Sequence, residues 1–359
     1  MRHDDPLIQQ VLDTWLPRFL NGSGAFFDDV RWTVERMRSW DDWGPEWLKT
    51  AAEREALAEE AWAAGHLFSA VQLFESACNY YHIGYHVYTR DPAAHHHGMH
   101  KMIAIHERIL PLLEPAVEKV KIPFEHTHLL GLFSRPRTPE RPPVVIMIPG
   151  LDSTKENRHR GAPAYLKRGM AVLTIDGPGQ GEVSSYLPLR AEYEDAITAT
   201  INYLEVRGDV DATHVGLNGA SLGGYYAPRA AAFERRVTAC VGNCGPYDLS
   251  ASFERIPQVT REAFQQYSHA QSMQEAFEIS RRLTLHGVAE EITCPLLILY
   301  GAQDPLFPWQ DGERMVAEAR GPKRFVNYPE GNHALNNIPY KANTLAADWL
   351  AEQLGGRTR

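Results

Sequence analysis

The sequence predicts an α/β protein in which a mostly parallel β-sheet follows an N-terminal all-helical domain. Up to about residue 120, apolar residues recur three and four positions apart, as in 57–74, and no strand pattern interrupts them. Beyond that point, short buried-strand runs alternate with helical stretches, which is typical of a parallel sheet with helices on both faces. We therefore expect a helical domain at 1–119 and an α/β domain at 120–359.

Length and composition fit a globular protein of one or two domains. Of its 359 residues, 44% are hydrophobic and 23% are charged. The net charge of −9 argues against partners such as nucleic acid or an anionic membrane. The first residues lack the apolar core of a signal peptide, and no apolar run approaches membrane-spanning length. We expect a cytoplasmic protein that acts on a small molecule, and a homodimeric assembly is left open.

The strand pattern opens with a hairpin and continues with six further runs. Runs 120–124 and 129–133 form the predicted hairpin. The further runs lie at 144–148, 171–175, 214–217, 238–241, 296–300 and 324–328. Helical patterning at about 250–291 predicts a covering segment inserted between strands. Because ligands of such sheets bind where the strands end at their carboxyl edge, the loops that follow these runs are the candidate site.

A serine turn follows the run 214–217. Gly219 and Gly223 flank Ser221 in the spacing of a sharp strand-to-helix turn, where they remove Cβ atoms that would collide as the backbone reverses. The helix that follows directs its free N–H groups at the same point, so the amide of Leu222 is available to a developing oxyanion. The alternative is an ordinary serine in a glycine-rich turn. The geometry favours acyl-transfer chemistry.

A second oxyanion donor is expected after the run 144–148. Gly150 lets the backbone turn closely past a ligand, which leaves the N–H of Leu151 as the donor beside that of Leu222. The residues that follow, Ser153 to Glu156, fit a capping box that starts a helix. Lys155 and Glu156 therefore need no catalytic role.

A serine nucleophile needs a base, and the base needs an orienting acid. Asp304 follows the strand run 296–300, and His333 follows the run 324–328. Ser221, Asp304 and His333 thus occur in the order of an α/β-hydrolase triad, each after a strand. Asp248 is a competing acid because it also follows a strand. Asp304 is preferred, since its strand immediately precedes the histidine strand.

Two other features of the chain are open to a functional interpretation. The segment Tyr80 to Tyr88 is rich in aromatic and imidazole groups. Packing is the default interpretation, and a wall that faces the substrate, with contacts from Tyr81, His82 and Tyr85, is the alternative. The tract 95–97 contains three histidines after an Asp-Pro pair, and we interpret it as a solvated polar loop.

No metal or organic cofactor is expected. The four cysteines have no metal-finger spacing and are expected to pack as small apolar side chains. The glycine-rich loop 176–182 lacks the ending of a phosphate-binding loop and does not open the helix that a dinucleotide fingerprint requires. We interpret this loop as a tight turn near the mouth of the site.

Taken together, the features resemble a known family. The helical first third, the loops 150–156 and 176–182, the Ser221 turn, Asp304 and His333 are similar to the α/β-hydrolase group that contains 2,6-dihydroxypseudooxynicotine hydrolase, fungal polyketide-shortening hydrolases and the fermentation-respiration switch esterases. The resemblance covers nearly the whole chain. It implies that the three triad residues are nucleophile, acid and base, and that the helical domain covers the active site.

Some members of that group use a further carboxylate after the sixth strand. Glu254 is the candidate for this role here, as a substrate-binding carboxylate. The motifs are specific for the family and not for the substrate.

The resemblance implies hydrolysis at a carbonyl through an acyl-enzyme, and a ketone substrate whose cleaved bond is carbon–carbon. Such a bond breaks only if the departing carbon is stabilised as an enol or phenol-type anion, so protonated His333 is the expected proton donor. Ester hydrolysis by the same triad is the main alternative, because a fold does not decide its chemistry. A non-catalytic ligand-binding relative is disfavoured by the intact triad, and haloalkane dehalogenation needs a carboxylate nucleophile.

Overall fold

The computed structural model describes residues 1–22 and 24–358. These residues form two compact units, one of 1–22, 24–116 and 258–263 and one of 117–257 and 264–358. The first unit is helical, and the second contains an eight-stranded, mostly parallel sheet. The predicted fold class is therefore confirmed. The sequence pattern carries no signal that would assign 258–263 to the helical unit.

Five long helices make up most of the helical unit. They are α1 (Pro6–Pro17), α2 (Phe27–Glu35), α3 (Trp43–Ala63), α4 (Leu67–Tyr85) and α5 (Pro92–Ile109). Local capping explains where α1 begins, because the Asp5 side chain accepts hydrogen bonds from the amides of Leu7 and Ile8. The core between α3 and α4 is aromatic: Trp47 stacks on Tyr80 with ring centroids 5.8 Å apart, and both are fully buried.

The predicted polar loop at 95–97 is wrong, because this tract lies within α5. Asp91 caps the helix through its side chain, which accepts hydrogen bonds from two amides of the first turn, and Pro92 occupies the first helical position. His95 is buried, with its Nδ1 3.0 Å from the carbonyl oxygen of Tyr88, whereas His96 and His97 are exposed. The Asp-Pro pair is a helix start that the histidine composition obscured.

The strands of the second unit are β1 (Glu118–Phe124), β2 (Thr127–Ser134), β3 (Pro143–Ile148), β4 (Ala171–Asp176), β5 (Asp211–Ala220), β6 (Val237–Asn243), β7 (Leu296–Gly301) and β8 (Lys323–Tyr328). Their order in the sheet is β1-β2-β4-β3-β5-β6-β7-β8. The β1–β2 hairpin and the β2–β4 pair are antiparallel, and the remaining pairs are parallel. The carboxyl ends of β3 to β8 consequently lie at one edge of the sheet.

Helices lie between the parallel strands and after the last of them. They are α6 (Lys155–His159), α7 (Ala162–Leu166), α8 (Glu194–Arg207), α9 (Leu222–Phe233), α10 (Leu249–Ser252), α11 (Gln258–Tyr267), α12 (Met273–Ser280), α13 (Gln310–Glu318) and α14 (Pro339–Leu354). Strands β3 and β4 are buried at every position, as expected for a sheet with both faces covered. None of the helices in the described part of the chain is long and apolar enough to span a membrane.

The segment predicted at 250–291 is helical over much of its length, through α10, α11 and α12. Its role as a cover for the active site, and that of the domain 1–119, stay predictions. The capping box before α6 lies one residue later than expected. Thr154, and not Ser153, is the cap, and its side chain pairs with the amide of Asn157.

Candidate active site

Ser221 occupies a strained turn between β5 and α9. Its φ of 56° and ψ of −127° lie outside the regions that side-chain-bearing residues prefer. The flanking glycines make this turn sterically feasible. A Cβ on Gly219 would lie 1.8 Å from the carbonyl oxygen of Gly223, and one on Gly223 would lie 2.5 Å from that of Ile148. The amide of Ser221 donates to the carbonyl of Asn243 at the end of β6, which fixes the turn to the sheet edge.

The structure brings Ser221, His333 and Asp304 together. Nε2 of His333 lies 2.8 Å from Oγ of Ser221, and Nδ1 of the same ring lies 2.8 Å from Oδ2 of Asp304. The other carboxylate oxygen of Asp304 accepts from the amides of Leu306 and Phe307. The Asp304 side chain is 1% exposed and the His333 side chain 6%. The carboxylate is thus held in one orientation toward the imidazole.

Two loops supply the histidine and its acid, and backbone contacts join them. The amide of Gln303 donates to the carbonyl of Gly331 at 2.9 Å, and the amide of Ala302 donates to that of Tyr328. A Cβ on Gly301 would lie 2.2 Å from the carbonyl oxygen of Gly331, so the close approach requires glycine there. This contact between the ends of β7 and β8 sets the spacing between Asp304 and His333.

Asp248, the competing acid, has a different role. Its side chain caps α10, where Oδ1 accepts hydrogen bonds from the amides of Ser250 and Ala251. Its other oxygen lies 3.4 Å from Nε2 of His286. Of the two candidate acids, Asp304 is therefore the one that bonds His333.

Cys244 is a neighbour of the triad that the sequence did not indicate. It follows β6, is fully buried and has a φ of 49°. Burial and the adjacent Asp304 carboxylate both raise the pKa of its thiol well above the ordinary value. The thiol therefore stays neutral beside Asp304.

Gly150 packs directly against the serine. A Cβ on Gly150 would lie 3.1 Å from Cβ of Ser221 and 3.5 Å from its Oγ. The next residue, Leu151, is 7% exposed, and Leu222, which follows the serine, is 4% exposed. The two candidate oxyanion donors thus belong to segments that meet at Ser221.

A buried ionic cluster lies behind this loop. The Lys155 ammonium lies 3.0 Å from Oδ2 of Asp176, 2.7 Å from Oε1 of Glu156 and 2.6 Å from Oε2 of Glu182. Burial alone would lower the pKa of Lys155, but these carboxylates raise it well above the ordinary value. Burial is also the largest effect on Asp176 and raises its pKa to about 6, although Lys155 acts to lower it. The sequence predicted only a helix start here.

Three of the four predicted substrate contacts lie in the helical unit, and the fourth lies in the α/β unit. The hydroxyls of Tyr81 and Tyr85 bond to Glu55 and to the sulfur of Met102, within the helical unit. His82 is fully buried, with its ring centroid 5.1 Å from that of Tyr85. Glu254, in the α/β unit, is exposed just after α10. Roles of these four residues in substrate binding stay predictions.

The described residues contain no group of three or more histidine, cysteine, aspartate or glutamate side chains arranged to hold a metal ion. Cys78, Cys240 and Cys244 are buried, and Cys294 is partly buried.

The chain is similar to a known family and to curated proteins. The model of the prolyl oligopeptidase family matches residues 158–357. The chain is 30% identical over 335 residues to 2,6-dihydropseudooxynicotine hydrolase from Paenarthrobacter nicotinovorans, covering 92% of this chain and 89% of that protein. It is 32% identical over 244 residues to 20-hydroxy-prefusarin hydrolase from Gibberella moniliformis, covering 63% of this chain and 58% of that protein.

Solved structures are also similar to this chain over most of its length. The crystal structure of 2,6-dihydroxy-pseudo-oxynicotine hydrolase superposes with a TM-score of 0.84 at 29% identity, covering 94% of this chain and 95% of that one. The structure of AbyA5 superposes with a TM-score of 0.75 at 20% identity and covers 98% of this chain and 94% of its own, which is a likeness of fold. These findings confirm the resemblance seen in the sequence.

Proposed function

The chain is an α/β-hydrolase of the prolyl oligopeptidase family, and from this premise we propose that it cleaves a carbon–carbon bond next to a ketone in a small molecule, through an acyl-enzyme. The observation that carries the proposal is the hydrogen-bonded series from Asp304 through His333 to Ser221 at the strand-to-helix turn. The relationship to 2,6-dihydropseudooxynicotine hydrolase supports a ketone substrate.

In the first step, Nε2 of His333 accepts the proton of the Ser221 hydroxyl as Oγ attacks the ketone carbonyl. The amides of Leu151 and Leu222 donate to the oxyanion that forms. Asp304 holds the imidazole in the required tautomer and stabilises its positive charge.

In the second step, the carbon–carbon bond breaks and its electron pair leaves with the departing carbon. That carbon must be stabilised as an enol or phenol-type anion, and His333 returns the proton to it. Water, activated by the same imidazole, then adds to the acyl-enzyme and releases the carboxylic acid and Ser221. No oxidant or reductant is needed, since the sum of the steps is the addition of water.

The test separates carbon–carbon cleavage from ester cleavage. A panel of acyl-phenols and 1,3-diketones is compared with p-nitrophenyl acetate, and products are identified by mass spectrometry. We expect faster turnover of the ketones, because a site that protonates a departing carbon gives little advantage to an activated aryl ester, whose oxygen leaves without help from an acid. In deuterium oxide the released fragment should carry deuterium at the cleaved carbon. Reference fragments incubated without enzyme measure exchange with the solvent.

Efficient ester hydrolysis with no cleavage of any ketone would make the protein a carboxylesterase with the same triad. Tight binding of a ketone without turnover of either class would favour a non-catalytic ligand-binding protein. The cytoplasmic location and the homodimer stay predictions.

A further inference from the structure

Resting on the proposed function, we propose that Gln180 is a positioning residue that fixes the oxyanion hole by holding the Gly150–Leu151 peptide in one orientation. Gln180 belongs to the glycine-rich loop after β4, which the sequence marked only as a tight turn. The residue is 1% exposed. A buried side-chain amide costs free energy unless its hydrogen bonds are satisfied. Its hydrogen-bond partners therefore show which groups it holds in place.

The Gln180 side-chain amide bonds to backbone groups and to one buried tyrosine. Nε2 donates to the carbonyl oxygen of Pro149 at 2.7 Å and lies 3.4 Å from that of Gly150. Oε1 accepts from the amide of Gly177 at 2.9 Å and from the hydroxyl of Tyr193 at 2.7 Å. The orientation of the amide is unambiguous, because carbonyl oxygens can only accept and a backbone N–H can only donate.

The contact with Gly150 determines the direction of the Leu151 amide. In a trans peptide the C=O and the N–H that follows it point in opposite directions. With the carbonyl oxygen of Gly150 turned toward Gln180, the N–H of Leu151 points away from Gln180. Gly150 itself lies against Ser221. Loss of the Gln180 donor would free this peptide to rotate and to withdraw the N–H from the oxyanion.

Gln180 is itself held from two sides. Tyr193, which donates to it, stacks on Tyr226 of α9 with ring centroids 4.1 Å apart. Helix α9 carries the second oxyanion donor, Leu222, at its first turn. On the other side, the Asp176 carboxylate fills the space next to Gly181, where a Cβ would lie 2.1 Å from its Oδ2. The peptide that carries Leu151 and the helix that carries Leu222 are thus connected through the same buried side chains, Gln180 and Tyr193.

If Gln180 has a purely structural role, its replacement should lower the stability of the protein and leave kcat unchanged. If it positions the oxyanion hole, its replacement should weaken the stabilisation of the transition state and so lower kcat. The variant Gln180→Met keeps the length of the side chain and removes the donor. Turnover of p-nitrophenyl acetate and of the preferred ketone is measured, together with the affinity for an aryl trifluoromethyl ketone, which forms a tetrahedral adduct with a serine hydroxyl. We expect kcat and the affinity for the adduct to fall together by about 100-fold, with KM changed less than about threefold.

The matched control is Thr200→Val. Thr200 is fully buried, and its hydroxyl donates to the carbonyl of Ala196 within α8. This variant also loses a buried hydrogen bond in the same unit, so it should lose stability while kcat and the affinity for the adduct stay at wild-type values.

Gln180→Glu gives a second, independent measurement. Its carboxylate keeps an acceptor for Tyr193 but opposes the carbonyls of Pro149 and Gly150, and protonation restores a donor toward them. The ratio of variant to wild-type kcat should therefore rise as the pH is lowered. The ratio is used because the titration of groups present in both enzymes cancels in it.

Wild-type kcat and adduct affinity in Gln180→Met would overturn the proposal. If that variant did not fold, a pH-independent kcat ratio for Gln180→Glu would overturn it as well. Failure of the proposed function is distinguishable, because it would appear as no cleavage of any ketone by the wild type, whereas the effect of Gln180→Met can still be measured on p-nitrophenyl acetate.

Discussion

Oγ of Ser221 and Nε2 of His333 lie 2.8 Å apart, although 112 positions separate the two residues in the chain. The second nitrogen of the imidazole is hydrogen-bonded to Asp304. Two backbone amides donate to the other carboxylate oxygen of Asp304 and hold it in place. The three side chains therefore form one unit, and their removal should not be additive.

The first prediction tests that unit. Ser221→Ala and His333→Ala should each reduce kcat by about 10⁴-fold or more, and the double variant should be little worse than either single one. Asp304→Asn should cost about 10⁴-fold, because an amide stabilises the wrong tautomer of the imidazole. Asp248→Asn is the control and should keep near wild-type kcat, since Asp248 caps α10. A larger loss in Asp248→Asn than in Asp304→Asn would contradict the assignment of the acid.

The second prediction concerns the turn at Ser221. Gly219→Ala should destabilise the protein by about 3 kcal/mol or more and abolish turnover, because the new Cβ would lie 1.8 Å from the backbone oxygen of Gly223. Gly208→Ala is the control: its φ is 77° and nothing lies within 4 Å of the new Cβ, so only the conformational cost of about 1 kcal/mol remains. Urea unfolding measures both variants. Equal losses would show that the glycine at 219 is not required by packing.

The third prediction concerns Lys155. Lys155→Met leaves the carboxylates of Asp176, Glu156 and Glu182 close together without the buried ammonium. Removal of one partner from a buried ionic group costs about 3–5 kcal/mol, and thermal unfolding should reveal a loss of this size. Lys341→Met is the control. Lys341 pairs with Glu330 at the surface, where such pairs contribute little, so its midpoint should stay nearly unchanged. Similar midpoints for the two variants would refute a stabilising role of the cluster.

The fourth prediction concerns pH. The pKa of Asp176 is raised by burial from 3.8 in the unfolded chain to about 6 in the folded protein. Between these values the folded state binds more protons, so the contribution of Asp176 to the free energy of unfolding decreases as the pH rises, by about 3 kcal/mol at most. Asp176→Asn should remove this decrease, so the free energy of unfolding of the variant, relative to that of the wild type, should rise as the pH rises over this window.

The measurement is urea unfolding at several pH values between 4 and 7. Asp311, whose pKa is also raised to about 6 by burial, contributes a further decrease with rising pH, which Asp176→Asn leaves in place. Asp311→Asn should weaken it by a separate amount. Identical pH profiles for wild type and Asp176→Asn would show that the carboxyl has the same pKa in the folded and unfolded chains.

Local sterics made much of the fold predictable. The alternation of strands and helices followed from hydrophobic periodicity, and the turn at Ser221 followed from two glycines whose absent side chains the structure requires. The helix start at Asp91-Pro92 was also encoded locally, in a cap and a proline at the first helical position, and it was obscured by the composition of the histidine tract that follows.

The sequence by itself determined which residues could belong to a triad, because each follows a strand and the order along the chain is visible. Only the tertiary structure decided that Asp304 and not Asp248 meets His333, since both acids follow strands and the strand order places the ends of β7 and β8 side by side. The partners of Lys155 and Gln180 were equally hidden. Such contacts depend on which distant loops the assembled sheet brings together. The free energy that stabilises the sheet comes from burial over its whole core and not from any short segment.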